Sequence, residues 1–195
     1  MTVLDVDPIR RHDPAEIDDQ PFDAAVLAPI IERPEGDALL FTKRADHLGE
    51  HPGQMSFPGG GAEPEDDSLL ETALREANEE IGLDADEASV VGRIDDIRTI
   101  TEYSVTPYVA RIPDREYIPD EREVAEIAML PVASLTNPEN YECDRRTHPH
   151  YGDIVVHYFH VGPYTVWGAT GRILVQLLEF TTDFDAPITA EQSRY

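Results

Sequence analysis

A chain of 195 residues is long enough for one domain with a sizeable core and too short for two. It carries 40 Asp and Glu residues against 15 Lys and Arg residues, and the resulting net charge of −25 excludes a surface that binds nucleic acid or an anionic membrane. Its single cysteine excludes an intramolecular disulfide, and no apolar run reaches the roughly 20 residues that span a bilayer, so we expect a soluble cytoplasmic protein.

The first part of the chain predicts an acidic arm followed by a β-hairpin. Residues 1–22 are polar and interrupted by prolines, so we expect an arm with a short helix at Ala15–Asp19. Ala24–Ile31 is apolar enough for a buried strand, which Pro29 should place at a sheet edge or a bulge. A turn then leads into a second strand over Ala38–Lys43, and the two strands pair.

A glycine-rich loop and a capped helix are predicted next. The Phe57–Gly61 run lets the backbone approach a ligand closely. Ser68 and Glu71 have the spacing of a capping box, so a helix should begin at Leu69, and Gly82 should end it. Its apolar stripe is formed by Leu70, Ala73, Leu74, Ala77 and Ile81.

Three glutamates of this helix, Glu76, Glu79 and Glu80, fall together on a different flank. Like charges at this spacing repel one another, and hard divalent cations such as Mg²⁺ or Mn²⁺ take oxygen ligands of this kind. In so acidic a chain a solvated helix face is the plainer interpretation. The glycines that precede the helix favour a cation site.

The second half of the chain alternates strands with polar segments. Strands are predicted where β-branched and aromatic residues cluster, over Val90–Ile100, Tyr103–Ile112, Val124–Leu130 and Ile154–Val161. Pro131–Leu135 predicts a brief helix, and Asn137–Asp153 a long loop of the kind that often binds substrate. Ala169–Phe180 has the apolar spacing of a helix.

The glycines and the capped helix together resemble the box of the Nudix hydrolases, G-x5-E-x7-R-E-U-x-E-E-x-G-U with U aliphatic. The residues in register are Gly61, Arg75, Glu76, Ala77, Glu79, Glu80, Gly82 and Leu83. Asp67 stands where the pattern has its first glutamate. The resemblance implies an α/β (α+β) fold, a Nudix-type α/β/α sandwich with a mixed central sheet. We expect this domain over residues 23–181, between the acidic arm 1–22 and a polar tail 182–195.

The same resemblance implies the chemistry of the site. Glu76, Glu79 and Glu80 would bind Mg²⁺ or Mn²⁺ together with the Gly60 carbonyl, and Arg75 would orient the carboxylates. The bound metal would promote hydrolysis of a diphosphate bond.

Two segments upstream of the box, Leu40–Ala45 and Gly53–Gly60, are similar to an extra motif of the coenzyme A diphosphatase subgroup. Gly49 stands where that motif has an arginine. The resemblance implies that coenzyme A is hydrolysed to 4′-phosphopantetheine and 3′,5′-bisphosphoadenosine. The candidate substrate-binding residues are Arg44, His51, Gln54, Phe57 and Gly59.

A general base outside the box is also expected. Glu123 is the first candidate and Glu126 the second, because both lie where a loop enters a strand. Each is equally well interpreted as a surface carboxylate.

Other residues offer weaker hypotheses. Lys43 should point away from Arg44 on a strand. Further cation candidates are Arg98, Arg145 and Arg146. Trp167 either stacks on an adenine or packs in the core. A zinc site could use His148, His150, His157 and His160, although His157 and His160 would face opposite sides of a strand.

Two other functions remain open from the sequence: a Nudix enzyme for ADP-ribose or another nucleoside diphosphate derivative, and a non-catalytic ligand-sensing module. The sequence also leaves a homodimer open. Lys43 is the only lysine, and an acidic, lysine-poor composition resembles that of haloarchaeal proteins, since concentrated salt screens self-repulsion.

Overall fold

The computed structural model describes residues 2–47, 52–148 and 152–187, which form two sheets and four α-helices. The strands are β1 (Phe22–Ile31), β2 (Ala38–Arg44), β3 (Met55–Ser56), β4 (Gly59–Gly61), β5 (Ser89–Arg93), β6 (Ile97–Arg98), β7 (Tyr103–Ile112), β8 (Val124–Pro131), β9 (Tyr141–His148), β10 (Gly152–Val161) and β11 (Tyr164–Val166). The helices are α1 (Asp7–Arg11), α2 (Leu69–Ile81), α3 (Val132–Leu135) and α4 (Gly168–Thr181).

The larger sheet is mixed, in the order β3-β2-β1-β7-β5, with β4 on β1, β6 on β7 and β8 on β2. Strands β1 and β7 pair in parallel along their whole length, from Phe22 opposite Tyr103 to Ile31 opposite Ile112. The other pairings of this sheet are antiparallel. The smaller sheet is antiparallel, in the order β11-β10-β9.

Helices cover both faces of the larger sheet because its central strand is apolar on both sides. Ala25, Leu27 and Ile31 of β1 share a core cluster with α2. Ala28 and Ile30 share the other cluster with α4 and with the smaller sheet. This arrangement confirms the predicted α/β sandwich around a mixed sheet.

Most predicted elements are confirmed within one or two residues, including the β1–β2 hairpin, α2, α3, β7, β8 and α4. Other predictions of local structure are wrong. The strand predicted over Val90–Ile100 is divided into β5 and β6, with residues 94–96 between them. The arm's helix lies at Asp7–Arg11, where Ile9 is only 2% exposed, and the N–H groups of Ala15 and Ile17 instead donate to Asp95 and Asp96. The segment predicted as a long loop contains strand β9, which pairs with β10.

Pro29 does not place β1 at a sheet edge, although its effect on pairing is visible. On one side of β1 the antiparallel ladder runs from Ala24 to Val26 with β4 and resumes at Ile30 with β2. Pro29 lies in the interval between these pairings, where a missing N–H costs no ladder bond. No helix in the described ranges is long and apolar enough to cross a bilayer.

Candidate active site

Both ends of α2 are fixed by local hydrogen bonds, which sets the position of its glutamates. The Glu71 N–H donates to Ser68 Oγ at 3.2 Å, as the capping box predicts. The second half of the box differs, because the Glu71 carboxylate accepts from the Asp67 N–H at 2.7 Å and not from Ser68. Gly82 ends the helix with φ at 65°, in the left-handed region where glycine is favoured.

The predicted apolar stripe is buried in part. Ala73, Ala77 and Ile81 are fully buried against the sheet, whereas Leu70 and Leu74 are half-buried. The helix therefore turns Glu80 inward, and its side chain joins the buried residues at 5% exposure.

Strand β4 lies against α2 because it has no side chains. A methyl group at Gly60 would lie 2.4 Å from Glu76 Oε1, so the Glu76 carboxylate occupies the space that any other residue would fill. A methyl group at Gly59 would lie 2.4 Å from the Ala25 carbonyl oxygen. The glycines thus bring the backbone of β4 and the Glu76 carboxylate into contact.

Glu80 is a buried carboxylate in a negatively charged environment. Burial raises the pKa of Glu80 to about 8, with further contributions from the negative charges of Glu76 and Glu123. Hydrogen bonding to the Gly59 backbone and the positive charge of Arg44 lower that pKa in part. In the described part of the chain, Glu80 Oε2 has no hydrogen-bond partner.

The other two glutamates differ in environment. Burial raises the pKa of Glu76, although the adjacent Arg75 guanidinium opposes the shift. Glu79 is 58% exposed and lies 3.4 Å from Arg75 Nη1. Among the residues that the structure describes, no three Asp, Glu, His or Cys side chains form a preassembled metal site, so the three predicted ligands are not yet arranged around one point.

The residues present nevertheless fit a hard divalent cation. The site offers a buried carboxylate oxygen without a hydrogen-bond partner, a second carboxylate nearby and the half-buried backbone of a glycine strand. These are oxygen donors of the kind that a hard divalent cation binds. Glu76, Glu80 and the Gly60 carbonyl could hold such a cation.

Arg75 connects these parts of the site. Its Nη2 donates to the Gly61 carbonyl at 3.1 Å, and its Nη1 donates to Glu76 Oε1 at 3.0 Å. Its Nε and Nη2 also donate to the two carboxylate oxygens of Asp66, at 3.0 and 3.1 Å. The predicted orienting contacts of Arg75 are therefore present, and Asp66 is a partner that the sequence reasoning missed.

The structure gives the two candidate bases, Glu123 and Glu126, different neighbours. The negative charge of Glu123 contributes to the raised pKa values of both Glu76 and Glu80. The Ala45 N–H donates to the Glu123 carbonyl at 2.8 Å, next to Arg44. A backbone bond from the Asp120 N–H to the Glu80 carbonyl, at 3.0 Å, docks this loop on the end of α2. Glu126, in contrast, accepts a hydrogen bond from the Tyr164 hydroxyl.

Arg44 lies near Glu80, and Gln54 is hydrogen-bonded to Arg44. The Arg44 N–H donates to the Gln54 carbonyl at 3.0 Å, and Arg44 is close enough to Glu80 to lower its pKa. The Gln54 amide nitrogen lies 3.2 Å from the position of a methyl group at Gly168, the first residue of α4. Of the two predicted substrate residues, Arg44 is therefore the one near the carboxylates, and Gln54 links Arg44 to the start of α4.

Phe57 is a correction to the predicted substrate contacts. It is 2% exposed and stacks on Phe41 with ring centroids 4.6 Å apart, so it packs the core and does not face a ligand. His51 and Gly49 lie outside the described residues.

The zinc hypothesis finds no support in the described residues. His157 is fully buried, its Nδ1 lies 2.8 Å from the Tyr141 hydroxyl, and burial lowers its pKa to about 4. His160 lies on the exposed face of β10, as strand alternation predicted. The side chain of His148 and all of His150 lie outside the described residues. Trp167 is 40% exposed, which removes the prediction that it packs in the core.

The chain also matches a known domain over most of its length. A sequence model of the NUDIX domain matches residues 21–151. The chain belongs to the Nudix hydrolase family.

Curated relatives of this Nudix hydrolase are named as members of the same family. "Uncharacterized Nudix hydrolase NudL" of Yersinia enterocolitica is 39% identical over 164 residues, covering 80% of each chain. The NudL protein of Enterobacter sp. (strain 638) is 38% identical over 160 residues, covering 79% of this chain and 80% of its own. A MutT/nudix family protein from Enterococcus faecalis shares the fold, with a TM-score of 0.57 and 15% identity over 87% of this chain and 64% of that chain.

Family membership makes the protein an enzyme that hydrolyses a diphosphate bond in small nucleoside diphosphate derivatives. Nudix hydrolases generally use divalent ions such as Mg²⁺ or Mn²⁺, which agrees with the oxygen donors at Glu76, Glu80 and Gly60.

Proposed function

We propose that this Nudix hydrolase cleaves the diphosphate of coenzyme A to 4′-phosphopantetheine and 3′,5′-bisphosphoadenosine. The observation that carries the proposal is the position of Arg44 and Gln54. Both belong to the segments that resemble the coenzyme A diphosphatase motif. The positive charge of Arg44 acts on the buried Glu80 carboxylate, and Gln54 is hydrogen-bonded to Arg44 through the backbone. A cation near a metal-binding carboxylate, with an amide directly before the neighbouring strand β3, suits a substrate with several phosphate groups.

The roles of the residues follow from their contacts. Glu76, Glu79, Glu80 and the Gly60 carbonyl would hold Mg²⁺ or Mn²⁺, which when bound neutralises charge on diphosphate oxygens and activates water. Arg75 holds the Glu76 carboxylate and the Gly61 carbonyl in one arrangement. The Gly59 backbone brings β4 close to the substrate, and Arg44 binds a phosphate oxygen.

Glu123 is our proposed general base, because its negative charge acts on both Glu76 and Glu80, and a carboxylate in that region could accept a proton from the attacking water. We expect Glu123→Gln to lower kcat by about 10²- to 10⁴-fold with little change in KM. Glu126→Gln is the matched comparison, since Glu126 bonds to Tyr164. Steady-state kinetics of both variants check this, and a larger loss in Glu126→Gln would reverse the assignment.

The substrate is tested by offering the purified protein coenzyme A, ADP-ribose and a dinucleoside polyphosphate, each with Mg²⁺ or Mn²⁺, and identifying the products. We expect coenzyme A to be hydrolysed with the highest kcat/KM. Turnover of ADP-ribose with coenzyme A left intact would overturn the substrate and keep the enzyme class. Binding without turnover of any of them would favour the ligand-sensing alternative.

These assays include a high-salt series, because we also propose that the protein works in concentrated salt. The negative side chains behind the net charge of −25 repel one another, and salt screens that repulsion. Activity and thermal stability should both rise with salt concentration. A loss of both in molar salt would contradict the proposal.

A further inference from the structure

We propose that Asp66, and not Asp67, is the positioning residue that fixes Arg75 in the site. The inference rests on the metal-dependent hydrolysis proposed above and concerns the residue that organises it. In the register of the Nudix box the acidic residue facing Arg75 would be Asp67. In the structure, the residue that faces Arg75 is the preceding one, Asp66.

The contacts of Asp66 are those of a buried anchor. Its two carboxylate oxygens accept hydrogen bonds from Arg75 Nε at 3.0 Å and Nη2 at 3.1 Å, a bidentate pair. The Thr72 hydroxyl donates to it at 2.8 Å, and the Glu63 N–H donates at 3.0 Å. The side chain is only 5% exposed, and the Arg75 guanidinium holds the pKa of Asp66 well below its usual range.

Asp67 is used differently. It is exposed, and the hydrogen bond that the structure shows for it runs from its backbone N–H to the Glu71 carboxylate at 2.7 Å. A backbone contact is independent of the side chain, so replacing the Asp67 carboxylate should leave the start of α2 unchanged.

Asp66 affects catalysis through the Arg75 donors that it leaves free for other partners. With one edge of the guanidinium held by Asp66, the other donors reach the Gly61 carbonyl and the carboxylates of Glu76 and Glu79. Without the Asp66 carboxylate, Arg75 is left near the carboxylates of Glu76 at 3.0 Å, Glu79 at 3.4 Å and Glu63 at 4.0 Å, of which Glu76 is the nearest. A tighter Arg75–Glu76 pair would compete with a cation for the same carboxylate, so metal binding should weaken.

The test compares Asp66→Asn with Asp67→Asn, which remove the same charge one residue apart. Mn²⁺ binding is measured by electron paramagnetic resonance and calorimetry, without substrate, well below each variant's unfolding temperature. We expect Asp66→Asn to weaken Mn²⁺ affinity by roughly 10- to 100-fold, as loss of a residue that orients metal ligands does, and Asp67→Asn to bind Mn²⁺ like the wild type. In turnover assays, Asp66→Asn should lower kcat and raise the Mn²⁺ requirement with little change in substrate KM.

A lower melting temperature with unchanged Mn²⁺ affinity in Asp66→Asn would show a merely structural role and overturn the proposal. So would a larger loss of affinity in Asp67→Asn. If Asp66→Asn does not fold, Thr72→Val replaces it, because this change removes one donor to Asp66 and keeps the side-chain shape. A severalfold weaker Mn²⁺ affinity is then expected, and an unchanged affinity overturns the proposal. Mn²⁺ binding is measured without substrate, so its result does not depend on which substrate the enzyme hydrolyses. A failure of the coenzyme A assignment and a failure of this proposal can therefore be told apart.

Discussion

Glu80→Gln should abolish turnover and, in the absence of divalent metal, make the protein more stable at alkaline pH than the wild type. We expect the rate to fall on the order of 100-fold or more, since a lost metal ligand removes several kcal/mol of transition-state stabilisation. The stability gain follows because Gln keeps the shape of a buried side chain that is 5% exposed and removes its charge.

The sign of the pH dependence follows from the raised pKa of Glu80. Its ordinary pKa is 4.5, and in the folded protein it is about 8. Between these values the folded state holds a proton that the unfolded chain has released, so the free energy of unfolding falls as pH rises from 4.5 through 8. The free energy of unfolding of Glu80→Gln should not fall in this way. Above pH 8 it should exceed that of the wild type by on the order of 3–5 kcal/mol.

Chemical unfolding in a chelating buffer at pH 5, 7 and 9 measures this difference. Glu79→Gln is the matched control for stability, because Glu79 lies one residue away and is 58% exposed. Its pH profile should follow that of the wild type. Equal pH slopes in the wild type and Glu80→Gln would show that Glu80 is not held in a charged, desolvated environment.

Adjacent glycines of β4 should respond differently to alanine. In Gly60→Ala the new methyl group would lie 2.4 Å from Glu76 Oε1, the end of a flexible side chain that can move aside. We expect a folded protein with weak metal binding and a turnover reduced by roughly 10- to 100-fold, because the displaced Glu76 no longer meets β4.

Gly59→Ala should instead lose stability. Its methyl group would lie 2.4 Å from the Ala25 carbonyl oxygen and 2.6 Å from Val26 Cα, both backbone atoms, and φ at Gly59 is 156°. A clash with fixed backbone in a conformation suited to glycine should cost about 2–4 kcal/mol.

Thermal melts and Mn²⁺ titrations of both variants check this contrast. Gly61→Ala is the control for folding, because the nearest atom to its methyl group would be 3.8 Å away, an ordinary contact. Wild-type turnover in Gly60→Ala, or a wild-type melting temperature in Gly59→Ala, would contradict the close approach of β4 to its neighbours.

Short-range patterns account for what could be predicted of the fold. The start of α2 after Ser68 and its end at Gly82 depend on hydrogen bonds and backbone conformation within a few residues, so the sequence specified them. Strand β9 was missed because Tyr141–His148 is polar and charged, and its pairing depends on β10, the neighbour supplied by the hairpin.

The candidate site divides in the same way. Spacing along one helix predicted that Glu76, Glu79 and Glu80 share a flank, since a helix converts sequence separation directly into a face. Spacing could not show that Glu80 is buried while Glu79 remains exposed, because that depends on how α2 packs against the sheet. Phe57 was misassigned for the same reason, since its stacking on Phe41 requires β2.

Sequence alone therefore determined which carboxylates share a helix, the glycine strand that approaches them and the family to which the chain belongs. Only the tertiary structure distinguishes Glu123 from Glu126, which are equivalent as acidic residues near a strand and differ by the neighbours that the fold brings to each. It also decided that Asp66 meets Arg75. Two adjacent aspartates are indistinguishable in sequence, and the turn that leads into α2 points one inward and leaves the other in solvent.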